Sequence, residues 1–272
     1  MDIKSKTKRS YNKSASLWHE TRVTTLDNFS NEKLLKQNRP HLFIEKPAMY
    51  SKVPNLEGKD VLCLGCGSGE ECGDLLKKNP KSLIGIDLSN KLIEIAKRTY
   101  LKVKFYVMDV ENLEFPDNSF DFVYSSLVLD YMENWEKVLS EVYRVLKKGG
   151  IFLFSNIHPI KWAAHKTKDE DGKNLGAIMG FNKNPKTGKI EIYGDYLNTR
   201  VHKEVWMKNI EIFYYTKSIS KMYQEIVSSG LRVLDVLEPK AISETKRYDQ
   251  DYYKINQKIP NFIIFETQKM KL

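Results

Sequence analysis

At 272 residues the chain suits one large α/β domain, or a domain with a cap, and holds ample material for a core. Hydrophobic residues make up 41% of it, which excludes a disordered chain, and no apolar run approaches the roughly 20 residues of a bilayer-crossing helix. The formal charge of +9 raises nucleic acid or an anionic surface as partners, but the lysines are scattered, and solvated helix faces account for them better.

Met1 to Ser16 is polar and basic without an apolar segment, so a cytoplasmic protein with no secretory leader is expected. From Ser10 to Leu26, Tyr11, Ala15 and Trp18 fall at i, i+4 and i+7 and predict a helix with one apolar face. Residues 31–54 read as a second entry helix punctuated by Pro47 and Pro54. Arg22, Arg39 and His41 are candidate ligand contacts in this unit, and nothing in the sequence selects among them.

Residues 61–70 organise the chain. The apolar run from Val61 to Leu64 meets alternating glycines at Gly65, Gly67 and Gly69, and Glu71 to Lys78 can continue as a helix. This pattern reads as a buried strand, a tight turn and a helix start, with glycine allowing close backbone approach to a ligand. The dinucleotide fingerprint needs its third glycine where Glu70 stands, and the P-loop is absent because no Gly-Lys-Ser/Thr follows. Lys81 to Asp87 is a second buried strand ending in an acid, and Ser89 is a suitable N-cap for a helix from Asn90 to Tyr100. Asp87 thereby lies at the carboxyl end of a strand beside the glycine turn, where it can accept both hydroxyls of a ribose. A third strand, Val103 to Val107, leads to Asp109, which can accept from an adenine amino group. An adenosine-containing ligand is expected.

Three cysteines, Cys63, Cys66 and Cys72, lie near the turn; no second pair of Cys or His completes a zinc set, so they read as small apolar fillers and no metal is expected. Further on, Phe120 to Leu127 is a fourth strand, Asn134 to Lys147 a helix and Gly150 to Ser155 a fifth strand. Such alternation implies parallel pairing and gathers Gly65, Asp87, Asp109, Ser125 and His158 at one sheet edge. Lys166 to Lys189 reads as a long loop, followed by antiparallel strands at Ile190–Tyr196, Thr199–Met207 and Ile210–Tyr215. A helix from Ser218 to Ser229 is closed by Gly230, and Leu231–Leu237 and Asn261–Thr267 complete the sheet.

Leu64 to Gly69, Gly85 to Ser89, Met108-Asp109-Val110, Phe115 to Asp121 and Val145 to Gly150 occur in order across roughly residues 55–157. In these pieces the chain resembles the class I S-adenosylmethionine-dependent methyltransferases, in particular the small-molecule branch related to quinone-biosynthesis methyltransferases. The resemblance implies a doubly wound, mostly parallel seven-stranded α/β sheet with an antiparallel last strand. It divides the chain into an N-terminal helical lid (1–54), a Rossmann-like cofactor core (55–157), an inserted β-rich substrate cap (158–217) and a C-terminal completion of the sheet (218–272). The implied cofactor is S-adenosyl-L-methionine, leaving S-adenosyl-L-homocysteine, with no metal. Tyr11, Gly65, Cys66, Gly67, Gly69, Asp87, Leu88, Asp109, Val110 and Ser125 would contact it, and Tyr11 and Trp18 would cover its methionine end.

The implied chemistry is in-line methyl transfer to an O or N atom of a small molecule or small modified peptide, natural-product tailoring included. His158, held extended by Pro159, is the candidate base or acceptor-orienting residue. Asp130 could hold an amine or guanidine acceptor, or could cap the helix at Asn134; Tyr131 and Trp18 are further substrate contacts. Two departures matter. Many relatives carry an acid where Cys63 stands, and the Asp/Asn-Pro-Pro-aromatic tetrapeptide is replaced by Ser125-Ser126-Leu127-Val128, which disfavours nucleic-acid base amines. The competing readings are an RNA-directed methyltransferase, supported by net charge alone, and a noncatalytic protein that binds the same cofactor.

Overall fold

The computed structural model describes residues 3–25, 32–168, 170–171, 174–206 and 210–270. The predicted helix ends at Leu26 and residue 31, and the predicted strand end at Met207, lie outside the described residues. The chain opens with α1 (Ile3–Lys13) and α2 (Ala15–Val23). They replace the single helix expected over this stretch: the Ser14 N–H is shared at 3.2 Å between the carbonyls of Ser10 and Tyr11, and the helix breaks there. Next come α3 (Glu32–Pro40), a π-helical turn (His41–Glu45) and α4 (Lys46–Lys52). Pro47 has no N–H to give the Phe43 carbonyl; the Ile242 N–H takes it instead at 2.9 Å, tying this unit to the C-terminal segment.

The central alternation follows as β1 (Asp60–Leu64), α5 (Glu70–Leu76), β2 (Ser82–Asp87), α6 (Asn90–Thr99), β3 (Lys104–Val107), β4 (Phe120–Ser126), α7 (Glu136–Val145) and β5 (Leu146–Ile157). Ser89 caps α6 as its position suggests, its hydroxyl accepting from the Leu92 N–H at 3.2 Å. A short α8 (Pro159–Ala163) leads into three hairpins built from β6 (His165–Lys168), β7 (Asn174–Ile178), β8 (Gly180–Lys183), β9 (Ile190–Tyr193), β10 (Arg200–Trp206) and β11 (Ile210–Thr216). The stretch expected as a loop from Lys166 to Lys189 therefore holds strands. Its charge hid a hairpin signal: Asn184 accepts from the N–H groups of Lys186 and Thr187, and Gly188 takes φ +70°, turning β8 back onto β9. The chain ends with α9 (Ile219–Ser228), β12 (Leu231–Leu237), α10 (Gln250–Asn256) and β13 (Phe262–Lys269).

The main sheet runs β12-β13-β5-β4-β1-β2-β3. β1 pairs parallel with β2 and β4, and β13 is antiparallel to both β5 and β12. The strand order reverses between β1 and β4, so their carboxyl ends frame the crevice where such sheets take ligands. One face of the sheet buries Phe152, Phe154 and Phe265 as a stack with centroid spacings of 4.6 and 5.3 Å. The other buries Met49, Val61, Phe122 and Tyr124 together with all three cysteines, which are free thiols packed as fillers. Among the described residues no helix is long and apolar enough to cross a membrane.

Candidate active site

The β1–α5 turn is held to its neighbour strand by a bond from the Cys66 N–H to the Ile86 carbonyl at 2.8 Å. Gly65 has φ +59°, and a Cβ there would lie 2.3 Å from a Val128 methyl. Gly67 has φ +53° and passes under the Trp18 indole, with room for a Cβ only at 3.3 Å from the ring nitrogen. Both glycines are required by conformation and by close approach.

Above this turn lies a cavity of about 450 Å³. It brings together Tyr11, Trp18, Gly65, Gly67, Asp87, Leu88, Asp109, Val110 and Tyr131 from the sequence-derived site. Asp87 accepts from the Gly67 N–H at 3.0 Å and the Ser89 N–H at 2.8 Å. Each oxygen therefore keeps acceptor capacity toward the cavity. Burial, against those two backbone bonds, pushes its carboxyl above the usual range. Asp109 accepts from the Glu111 N–H at 3.0 Å and from Lys4 of α1 at 2.5 Å. The Tyr11 and Tyr131 hydroxyls are hydrogen-bonded to each other, and Tyr11 packs edge-on against Trp18 at 5.0 Å. Burial raises both phenols, so both stay protonated at neutral pH.

Residues 62–154 match the family model for a methyltransferase domain. An uncharacterized Haemophilus influenzae protein is 37% identical over 139 residues, covering 48% of this chain and 54% of that one. An arsenite methyltransferase of Aquipseudomonas alcaligenes is 31% identical over 144 residues, 47% of this chain and 42% of that one. The chain thus spans about half the length of these curated relatives. An S-adenosylmethionine-dependent methyltransferase structure from Listeria monocytogenes superposes with a TM-score of 0.67 at 24% identity, covering 84% of this chain and 97% of that one. The central stretch is thus similar to a methyltransferase domain, and the sheet has the fold of these methyltransferase structures.

The residues lining the cavity suit the nucleoside ligand expected from the sequence. Asp87 offers spare acceptor positions to a ribose, Asp109 and Val110 stand one strand further along, and Gly65 and Gly67 leave space that a Cβ would fill. Five positions inferred from sequence do not line this cavity: Cys66, Gly69, Ser125, Asp130 and His158. Cys66 is buried beneath the turn, and a Cβ on Gly69 would meet Tyr100 at 2.8 Å rather than a ligand. Ser125 points into the sheet interior, its hydroxyl buried with no hydrogen-bond partner, while Ser126, Leu127 and Val128 line the cavity.

His158 is 3% exposed and both ring nitrogens are engaged: Nδ1 accepts from the Ile160 N–H at 3.2 Å, capping α8, and Nε2 pairs with Glu238 at 2.8 Å. Burial lowers its pKa despite the carboxylate. Asp130 is also 3% exposed, accepting from the Asn156 amide at 2.5 Å and the Ile157 N–H at 3.0 Å, which ties the turn after β4 to β5. Burial pushes its carboxyl up to about 8. The pair aimed at acceptor chemistry by the sequence thus supports the walls behind the cavity.

Of the three N-terminal candidates, Arg22 and His41 line the cavity, whereas Arg39 pairs with Asp249 and stacks on Tyr252 at 4.0 Å. Arg22 pairs with Glu71, and His41 pairs with Glu45 at 2.6 Å. Glu45 further accepts from the hydroxyls of Ser126 at 2.9 Å and Ser155 at 2.6 Å. Burial alone would raise the Glu71 carboxyl; Arg22, His41 and Lys46 outweigh it and hold it at about 2. Sequence reasoning missed this network and the wall it forms. Its one local sign is Leu127, held at φ +56° where β4 ends, a strained conformation of the kind that collects at ligand sites.

Proposed function

We propose that the chain transfers the methyl group of S-adenosylmethionine to an O or N atom of a small molecule or small modified peptide. The observation that carries this reading is a single continuous cavity: the walls that fit the nucleoside also include Tyr131, Trp162 and Val205, the last two supplied by the 158–217 segment acting as a cap. The cofactor brings a methyl already activated on a sulfonium; the chain's residues have to align the acceptor and exclude water. Neither His158 nor Asp130 reaches the cavity, and Tyr11 and Tyr131 are held protonated. An acceptor that arrives as a nucleophile in its own right, a neutral amine or an oxygen already ionised, needs no base from these four residues. Arsenite, the acceptor in one relative's name, is not adopted, because no cysteine lines the cavity among the described residues.

Calorimetry with S-adenosylhomocysteine, followed by mass spectrometry across a panel of amines, phenols and carboxylates, tests the proposal. Micromolar binding and a one-methyl mass gain on a panel member are expected. Binding without transfer to any class would favour the noncatalytic reading, and absence of binding would remove the cofactor assignment.

A further inference from the structure

The hairpin formed by β8 and β9 has no place in the chemistry above. Every described side chain from 176 to 192 is exposed, and the hairpin forms a two-stranded sheet of its own. Phe181 stands opposite Ile192, and Lys183 opposite Ile190, so these four side chains share one face. Phe181, Ile190 and Ile192 are 73%, 55% and 77% exposed. A solvated hairpin ordinarily shows charge at such positions, and a lone apolar cluster on it marks a contact surface. Lys183, Lys186 and Lys189 surround it and join no ion pair among the described residues, while Glu191 is the hairpin's one acid. The base of the hairpin is fixed: the Asp195 N–H donates to the Ala163 carbonyl at 2.8 Å, beside Trp162, which lines the cavity.

We propose that this hairpin docks the protein on an anionic lipid surface, with Phe181, Ile190 and Ile192 entering the interface and the three lysines meeting the headgroups. Aliphatic side chains flanked by lysine match that partner. Nucleic acid fits less well: the hairpin has no arginine for bidentate phosphate contacts, and two of its three exposed apolar groups cannot stack on bases. A second copy of the chain fits poorly too, since it would bring six lysines together against two glutamates. Docking would set the cavity's cap beside the membrane.

Co-sedimentation of the full chain with vesicles of equal parts phosphatidylcholine and phosphatidylglycerol tests this, with pure phosphatidylcholine vesicles as the control. Binding to the anionic vesicles is expected. It should fall at least tenfold in the Phe181→Ser, Ile192→Ser double variant and in the Lys183→Glu, Lys186→Glu, Lys189→Glu triple variant. Both variants should keep wild-type thermal unfolding and S-adenosylhomocysteine affinity, since every altered side chain is exposed. A wild type left in the supernatant, or variants that sediment like it, would overturn the proposal. So would a dimer that the double variant dissociates without any vesicle binding, or salt-sensitive RNA binding abolished by the triple variant alone.

Discussion

Replacing Asp87 with alanine removes one carboxylate from three duties. It deletes the acceptor for the Gly67 N–H at 3.0 Å and the Ser89 N–H at 2.8 Å, and it deletes the proposed ribose contact. The first two losses loosen the turn. The third is a charged acceptor withdrawn from two hydroxyls, about 1–3 kcal/mol after water and neighbours readjust, or roughly 5- to 150-fold in Kd. Calorimetric titration with S-adenosylhomocysteine reads that loss, while a urea transition without ligand reads the loosening. The proton makes a second, independent signature. Because burial raises the Asp87 pKa, the carboxyl of the free protein takes up a proton at a higher pH than an exposed aspartate would. A protonated carboxyl gives up acceptor capacity, so affinity should fall as the pH drops through that raised value, and Asp87→Asn should flatten the profile. An Asp87→Ala protein that binds with wild-type affinity would refute the ribose role.

Gly65→Ala places a Cβ 2.3 Å from a Val128 methyl at φ +59°, so it should lose about 2–4 kcal/mol in urea denaturation; Val128→Ala in the same chain should recover the steric part, and failure to do so would reject the close approach. His158→Ala should lower stability by about 1–3 kcal/mol through loss of the α8 cap and of packing, while leaving the pH profile of turnover unchanged; a vanished basic or acidic limb would restore it as the base. For Asp130, a folded pKa of about 8 lies above the ordinary value of 3.8, so the folded state binds a proton that the unfolded state releases. That stability is fully present below about pH 4 and is lost as pH rises through about 8, on the order of 6 kcal/mol at most; urea midpoints of Asp130→Asn should show a flatter pH dependence than wild type.

The alternating strands, the glycine turn, Asp87 and Asp109 were legible because each depends on local pattern: an apolar run, a turn residue, an acid where a strand ends. The acceptor side was not, because strand-end direction decides it and spacing does not. Ser125 and Ser126 are chemically alike and adjacent, yet successive strand residues face opposite ways, and Ser126 alone reaches the cavity. His158 follows β5 as expected, but the proline that holds it extended also starts α8, and the ring turns to cap that helix. Residues 41–45 read as ordinary helix, because a π-turn depends on which carbonyl Pro47 leaves free and on Ile242, almost 200 positions away.

The same placement explains Cys63. On the proposed function, an acid at its position would help hold the ammonium of the cofactor's amino-acid end. The Cys63 side chain instead lies in an apolar cluster on the sheet. A carboxylate there would be a third negative group near Glu71 and Asp87, whose charges already act on the Cys63 thiol, and like charges at such spacing drive each other toward protonation. Glu45 and Glu71 arrive from the N-terminal unit and from α5. Both carboxyls are held low despite burial, and burial together with Arg22 lowers His41. Arg22 faces the cavity and, on the proposed function, suits the carboxylate of the cofactor's amino-acid end. On that reading the carboxylate of the amino-acid end is met by Arg22 of α2, from the N-terminal unit, and not by a group on β1.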